Sequence, residues 1–132
     1  MDVNGDLLLN SSTSNSLVSG TGVLNLAGDL TATSFGGGGG SLPDGIVLDG
    51  AGTQVISGTA NGFLPSFRVN STGTADFNGD LYFNRHFTHD AGTVDTTGST
   101  FHFVNSPTIN QNGRINASAV SFNNIVINLN NN

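Results

Sequence analysis

Short stretches in which apolar and small polar residues alternate recur along the chain. They include Val23-Leu24-Asn25-Leu26, Gly45-Ile46-Val47-Leu48, Thr53-Gln54-Val55-Ile56, Ser66-Phe67-Arg68-Val69-Asn70, Phe101-His102-Phe103-Val104 and Asn124-Ile125-Val126-Ile127-Asn128-Leu129. Runs this short, rich in Val, Ile and Phe and bounded by Gly, Asn, Asp or Ser, are strand signals. No apolar spacing at i, i+3, i+4 and i+7 is sustained long enough for a helix, so the pattern predicts an all-β chain.

A second regularity lies on top of the alternation. Asp2-Val3-Asn4-Gly5-Asp6-Leu7-Leu8-Leu9-Asn10 returns as Asp76-Phe77-Asn78-Gly79-Asp80-Leu81-Tyr82-Phe83-Asn84, and Asn25-Leu26-Ala27-Gly28-Asp29-Leu30 is a weaker copy. Asp95-Thr96-Thr97-Gly98-Ser99 and Asn112-Gly113-Arg114-Ile115-Asn116 are eroded ones. The glycines at these centres recur at an irregular interval averaging roughly 22 residues, the length of one coil of a solenoid.

The predicted architecture is therefore a single domain over residues 1–132, a right-handed parallel β-solenoid (β-helix) of about five to six coils. An antiparallel β-sandwich is the alternative, because strand lengths alone suit both. The observation that separates them is the pairing direction of Phe77–Phe83 with Phe101–Val104, parallel in a coil and antiparallel in a hairpin. Ser34-Phe35-Gly36-Gly37-Gly38-Gly39-Gly40-Ser41-Leu42-Pro43-Asp44 breaks the rhythm and reads as a glycine-rich loop insertion at about 34–44. The expected interior comprises Leu24, Leu26, Ile46, Leu48, Val55, Phe67, Val69, Phe77, Leu81, Phe83, Phe101, Phe103, Ile125 and Ile127.

Three strings carry a resemblance. Thr53-Gln54-Val55-Ile56-Ser57-Gly58, Phe87-Thr88-His89-Asp90-Ala91-Gly92-Thr93-Val94-Asp95 and Ser121-Phe122-Asn123-Asn124-Ile125-Val126-Ile127-Asn128 resemble the degenerate Asn/Gly/Thr-rich β-solenoid repeats of large bacterial cell-surface, adhesin-like proteins. The likeness covers roughly residues 50 to 128, with only the Gly-Asp-Leu corners matching before that. It implies an extracellular or cell-surface location and a role as stalk or adhesin.

Composition narrows the chemistry. The 132 residues include three cations and nine acids, for a net charge of -6, and lack Lys, Glu, Cys and Trp altogether. Without lysine there is no P-loop lysine, Schiff base or lysine isopeptide bond; without cysteine, no disulfide or thiolate. Three scattered arginines make no basic patch, which argues against nucleic acid. No apolar run approaches the roughly 20 residues of a membrane-spanning helix, so no membrane insertion is expected. Met1 directly before Asp2-Val3-Asn4-Gly5-Asp6 reads as a start placed on an excised piece.

Several residue groups invite a functional reading, and each has a plainer one. The Asp-x-Asn-Gly-Asp copies begin like a calcium loop, but the glycine and bidentate acid of an EF-hand are replaced by Leu7 and Thr13, and by Leu81 and Phe87. Structural corners are the preferred reading. His86, His89 and His102, with Asp90 and Asp95, could hold zinc only if a bend brings His86 and His89 together, because residues three apart on a strand point oppositely. Arg85 has Asp80 and Asp90 nearby in sequence, consistent with a surface ion pair. Tyr82, Phe83 and Phe87 could form an aromatic platform for a sugar, although Phe77, Phe83, Phe101 and Phe103 suit the core better. Thr31-Ala32-Thr33 and Thr72-Gly73-Thr74 have the form of an ice-binding rank but do not fall on consecutive coils.

No catalytic, cofactor-binding or metal-binding residue is assigned, and no enzyme activity or cofactor is expected. The expected function is a non-catalytic structural segment of an extracellular bacterial surface protein, a stalk or adhesin rod. The alternatives are a self-assembling extracellular filament subunit stacking end to end, and a carbohydrate-binding or carbohydrate-acting β-helix module. Neither end shows a polar cap, so the partners expected are neighbouring solenoid coils or copies of the chain end to end, with surface glycans as a further class.

Overall fold

A strand that alternates apolar and polar residues hides one face, and a coil of about 20 residues can hide it only against another coil. That requirement is met by parallel stacking throughout. In the computed structural model, the described residues are 1–10, 22–34, 45–60, 62–83, 85–104 and 114–128. They form strands β1 (Asp2–Val3), β2 (Leu7–Asn10), β3 (Leu24–Leu26), β4 (Leu30–Ser34), β5 (Ile46–Leu48), β6 (Thr53–Gly58), β7 (Phe63–Leu64), β8 (Phe67–Phe83), β9 (Phe87–Asp95), β10 (Ser99–Val104), β11 (Ile115–Ala117) and β12 (Asn124–Asn128). Every pairing among them is parallel.

The pairings sort into three vertical files. The first climbs from Asp2 through Asn25, Val47, Arg68 and Thr88 to Asn116, each residue the register partner of the next. The second runs from Leu7 through Leu30 and Ile56 to Phe77, with Thr74 to Asp76 continuing to Thr93 to Asp95. The third stacks Leu64, Phe83, Phe103 and Ile127. Strand β8 is long because it serves all three in turn: Phe67 to Val69 pair in the first file, Thr74 to Asn78 in the second and Gly79 to Phe83 in the third.

Gly79 to Phe83 lie parallel to Ser99 to Phe103, which decides for the solenoid over the sandwich. The described residues make about four turns, slightly fewer than the five to six coils expected; residues 11–21, 35–44 and 105–113 lie outside them. The glycine-rich insertion falls almost wholly in 35–44 and is likewise outside.

The core follows the alternation, with two corrections. Leu26, Ile46, Leu48, Phe67, Val69, Phe77, Leu81, Phe83, Phe101 and Phe103 are buried as expected, and Leu24 packs half-buried against them. Val55 points the other way: Gln54 and Ile56 take the inward positions of β6, leaving Val55 on the outer side. Ile125 and Ile127 keep the inward register above Phe101 and Phe103, yet they are 41% and 62% exposed because no described strand pairs above β12. Phenylalanine rings fill much of the interior. Phe67 and Phe87 stack nearly parallel on successive coils with ring centres 6.4 Å apart, while Phe77 meets Phe101 edge-on and Phe83 lies against Phe101, both at 5.0 Å.

The repeated glycine motif serves two different corners. Gly5, Gly28, Gly50 to Gly52, Gly73 and Gly92 line the corner between the first and second files, whereas Gly58, Gly79 and Gly98 line the next. The string around Gly5 and its copy around Gly79 are therefore not in register: Leu7 stands in line with Phe77, four residues from its counterpart Leu81. At Gly73 a side chain would strike the Gly52 carbonyl below, so close stacking alone demands glycine there. Gly79 adopts φ 79°, a left-handed conformation that disfavours side-chain-bearing residues.

Gln54 fastens the first of these corners from inside. Its Nε2 donates to the carbonyls of Leu26 and Gly28, each at 2.8 Å, and its Oε1 accepts from the Gly50 amide at 2.9 Å. The side chain is 1% exposed, so these bonds satisfy main-chain groups that water does not reach. Replacing Gln54 by Met should preserve volume, orphan all three groups and lower unfolding free energy by about 2–4 kcal/mol in urea titration. The neighbouring exposed Thr53→Ala should stay within about 0.5 kcal/mol; equal effects would show that the glutamine bonds are replaceable.

Candidate functional site

Outward positions of the third file place Phe63, Tyr82, His102 and Val126 directly above one another. The Tyr82 and His102 rings lie flat on each other, 4.3 Å apart and 3° from parallel, and Phe63 meets Tyr82 edge-on at 5.9 Å. His102 Nε2 lies 3.2 Å from Asp80 Oδ1, and the two together form an ion pair when the imidazole is protonated. This band is the largest outward-facing aromatic feature among the described residues.

It differs from the platform expected of Tyr82, Phe83 and Phe87. Phe83 and Phe87 are buried in the core, because both hold inward positions of their strands. One face of the Tyr82 ring is covered by His102, and Phe63 packs edge-on against the same ring, so the aromatic surface is spent within the stack. What it offers outward is polar: the phenol of Tyr82 and the Asp80–His102 pair.

The three histidines are dispersed. His102 belongs to the band just described. His89 takes the register position above Val69 and lies within hydrogen-bond distance of two carbonyls, Nε2 to Gly92 at 2.9 Å and Nδ1 to Ser118 at 3.3 Å. His86 Nδ1 accepts the Arg114 amide at 3.1 Å, at the corner between the third file and the next rung of the first. Among the described residues no three His or Asp side chains gather as metal ligands would. The corner aspartates bind main-chain amides instead: Asp6 accepts from Asp29 N at 3.0 Å, and Asp29 from Val55 N at 2.7 Å.

The arginines are arranged differently from the sequence expectation. Asp90 pairs with Arg68 at 3.1 Å and Asp80 with His102, so neither acid is the partner of Arg85. Arg85 is instead buried, with Nη2 sealed from solvent and without a hydrogen-bond partner. Burial lowers its pKa. Burial also lowers the pKa of His86, assisted by the charges of Arg114 and Arg85. Exposed Asp95 is held below the usual carboxylate range by the Thr97 amide, 2.9 Å away, and then by the Thr97 hydroxyl. Alternation in the sequence could have placed Tyr82 and His102 on one outer face; the burial of Arg85 had no signal there, since a charged residue beside a corner reads as exposed.

Two outcomes follow. Phe87→Ala should cost about 3–5 kcal/mol in urea unfolding and Tyr82→Ala only about 1 kcal/mol, one being core and the other an outer stack. For His86, the folded chain binds a proton less readily than the unfolded chain, so stability should fall as pH drops through the window below the ordinary histidine value of about 6.5. His86→Gln should flatten that part of the stability–pH curve, and an unchanged slope would assign it elsewhere. Comparison with protein-family models, with curated proteins and with solved structures finds no match.

Proposed function

We propose that this chain is a non-catalytic structural segment of an extracellular bacterial surface protein, a stalk or adhesin rod. The observation that carries the reading is the unbroken first file, in which one strand segment from each coil pairs with the coils below and above from Asp2 to Asn116. A load applied along the axis is then shared by main-chain hydrogen bonds in successive rungs and by a core continuous through all of them. The outer surface supports the same reading: the corner acids Asp6 and Asp29 are engaged with amides, and the aromatic band of the third file is packed against itself.

A second reading, a filament subunit stacking end to end, is favoured by the last rung. Ile125 and Ile127 present the interior register with no described strand above them, and an unpaired parallel edge is a template for another chain.

Immunogold labelling of intact source cells tests the surface role: label outside the envelope supports it, and label confined to the interior overturns it. Sedimentation velocity over a hundredfold concentration range separates the two readings. A rod segment should keep one elongated species, whereas a filament should grow with concentration and stop growing when Ile127→Lys puts a charge on the open rung.

A further inference from the structure

The corner between the third file and the next rung of the first gathers cationic side chains among the described residues. Ser66, His86 and Arg114 occupy it on three consecutive rungs, with Ile46 N bonded to Ser66 O at 2.9 Å, Phe67 N to His86 O at 2.8 Å and Phe87 N to Arg114 O at 2.9 Å. Arg85 stands beside His86 and is 5% exposed. Its Nη2 and the Ser66 Oγ are both buried with no hydrogen-bond partner. Two of the chain's three arginines and one of its three histidines thus meet at one corner of a molecule whose net charge is -6.

A buried guanidinium normally pairs with a carboxylate, because removing its hydration without replacing it is costly. Here the ion pairs of the described aspartates go to Arg68 and His102, on other parts of the surface. The imidazole of His86 adds a donor. Its Nδ1 accepts the Arg114 amide, so in the neutral ring the proton sits on Nε2, which is left to donate. A planar fork of guanidinium donors, an imidazole N–H and a second, exposed guanidinium are the groups that recognise an oxyanion.

We propose that this corner is a binding site for a single compact oxyanion, a carboxylate, sulfate or phosphate group, held by Arg85 with His86 and Arg114 beside it. Because Arg85 is only 5% exposed, the ligand class is a single small anionic group, either a free ion or the terminal group of a larger molecule such as an acidic sugar. The proton affinity of His86 is lowered first by burial and then by the charges of Arg114 and Arg85, which accords with cationic groups gathered at this corner.

The test uses the full chain in solution. Amide and imidazole NMR signals would be followed during addition of sodium sulfate, sodium phosphate or galacturonate, each against sodium chloride at equal ionic strength. Saturable shifts at Ser66, His86 and Arg114 with at least one of the three are expected, with the His86 titration midpoint moving upward when the anion is bound. Sulfate or phosphate acting alone assigns an inorganic ion or ester; galacturonate acting alone assigns a sugar carboxylate. Arg85→Met keeps the length of the side chain and removes an unpaired charge, so it should fold and weaken anion binding at least ~10-fold, while Arg114→Gln should weaken it by a smaller factor. No saturable shift with any of the three overturns the site, as does equal affinity in Arg85→Met. Should Arg85→Met fail to fold, Arg114→Gln decides, and unchanged affinity there is a negative result.

Discussion

Main-chain hydrogen bonding between superposed coils is the constraint on which everything else in this structure depends. Neighbouring rungs stand about 4.8 Å apart, and that spacing holds at the corners as well as along the strands. A corner residue must therefore be no thicker than the gap. This is why Gly73 sits against the Gly52 carbonyl, and why polar groups that turn inward at a corner must be answered by the rung above or below. Gln54 supplies the answer at one such place by bonding to the carbonyls of Leu26 and Gly28, more than twenty residues earlier in the chain and one rung away in space. The Thr96 hydroxyl does so at another, donating to Ser121 O and accepting from Asn123 N.

The same spacing governs the charges. Acids at successive corners would face one another at close range, and the molecule turns this repulsion aside by giving Asp6 and Asp29 each an amide on the next rung. The acids are thus fixed at the rim as hydrogen-bond acceptors. Arg85 has the opposite placement: it is enclosed, and the ion pairs of the described aspartates go to Arg68 and His102 instead.

Much of the architecture was legible from alternation alone. Segments such as Phe101-His102-Phe103-Val104 alternate so regularly that their inward and outward faces are read correctly, and the recurring glycines announce coils. Three features were not legible, for physical reasons. Val55 looks apolar enough for the core, but inward direction in β6 is set by Ile56, and a glutamine that makes three bonds outcompetes a valine for the interior position beside it. Ile125 and Ile127 have the right parity, but burial also needs a rung above, which parity does not encode. The equivalence of Gly5 and Gly79 is a likeness of residues only, because any tight bend followed by an inward leucine selects the same few amino acids whichever corner it forms. Among candidate site residues, Phe83 and Phe87 followed their apolar character into the core, while Arg85 contradicted its own, and nothing local distinguishes an enclosed arginine from an exposed one.

The flat stack of Tyr82 on His102 has a consequence for observing the molecule. Tyr82 is the one tyrosine in a chain without tryptophan, so ultraviolet emission originates at a single phenol on the third file. That phenol ring lies flat on the imidazole of His102, whose Nε2 is 3.2 Å from Asp80 Oδ1. The protein carries its own optical probe, and the anisotropy of that emission follows the tumbling of the solenoid to which the ring is fixed.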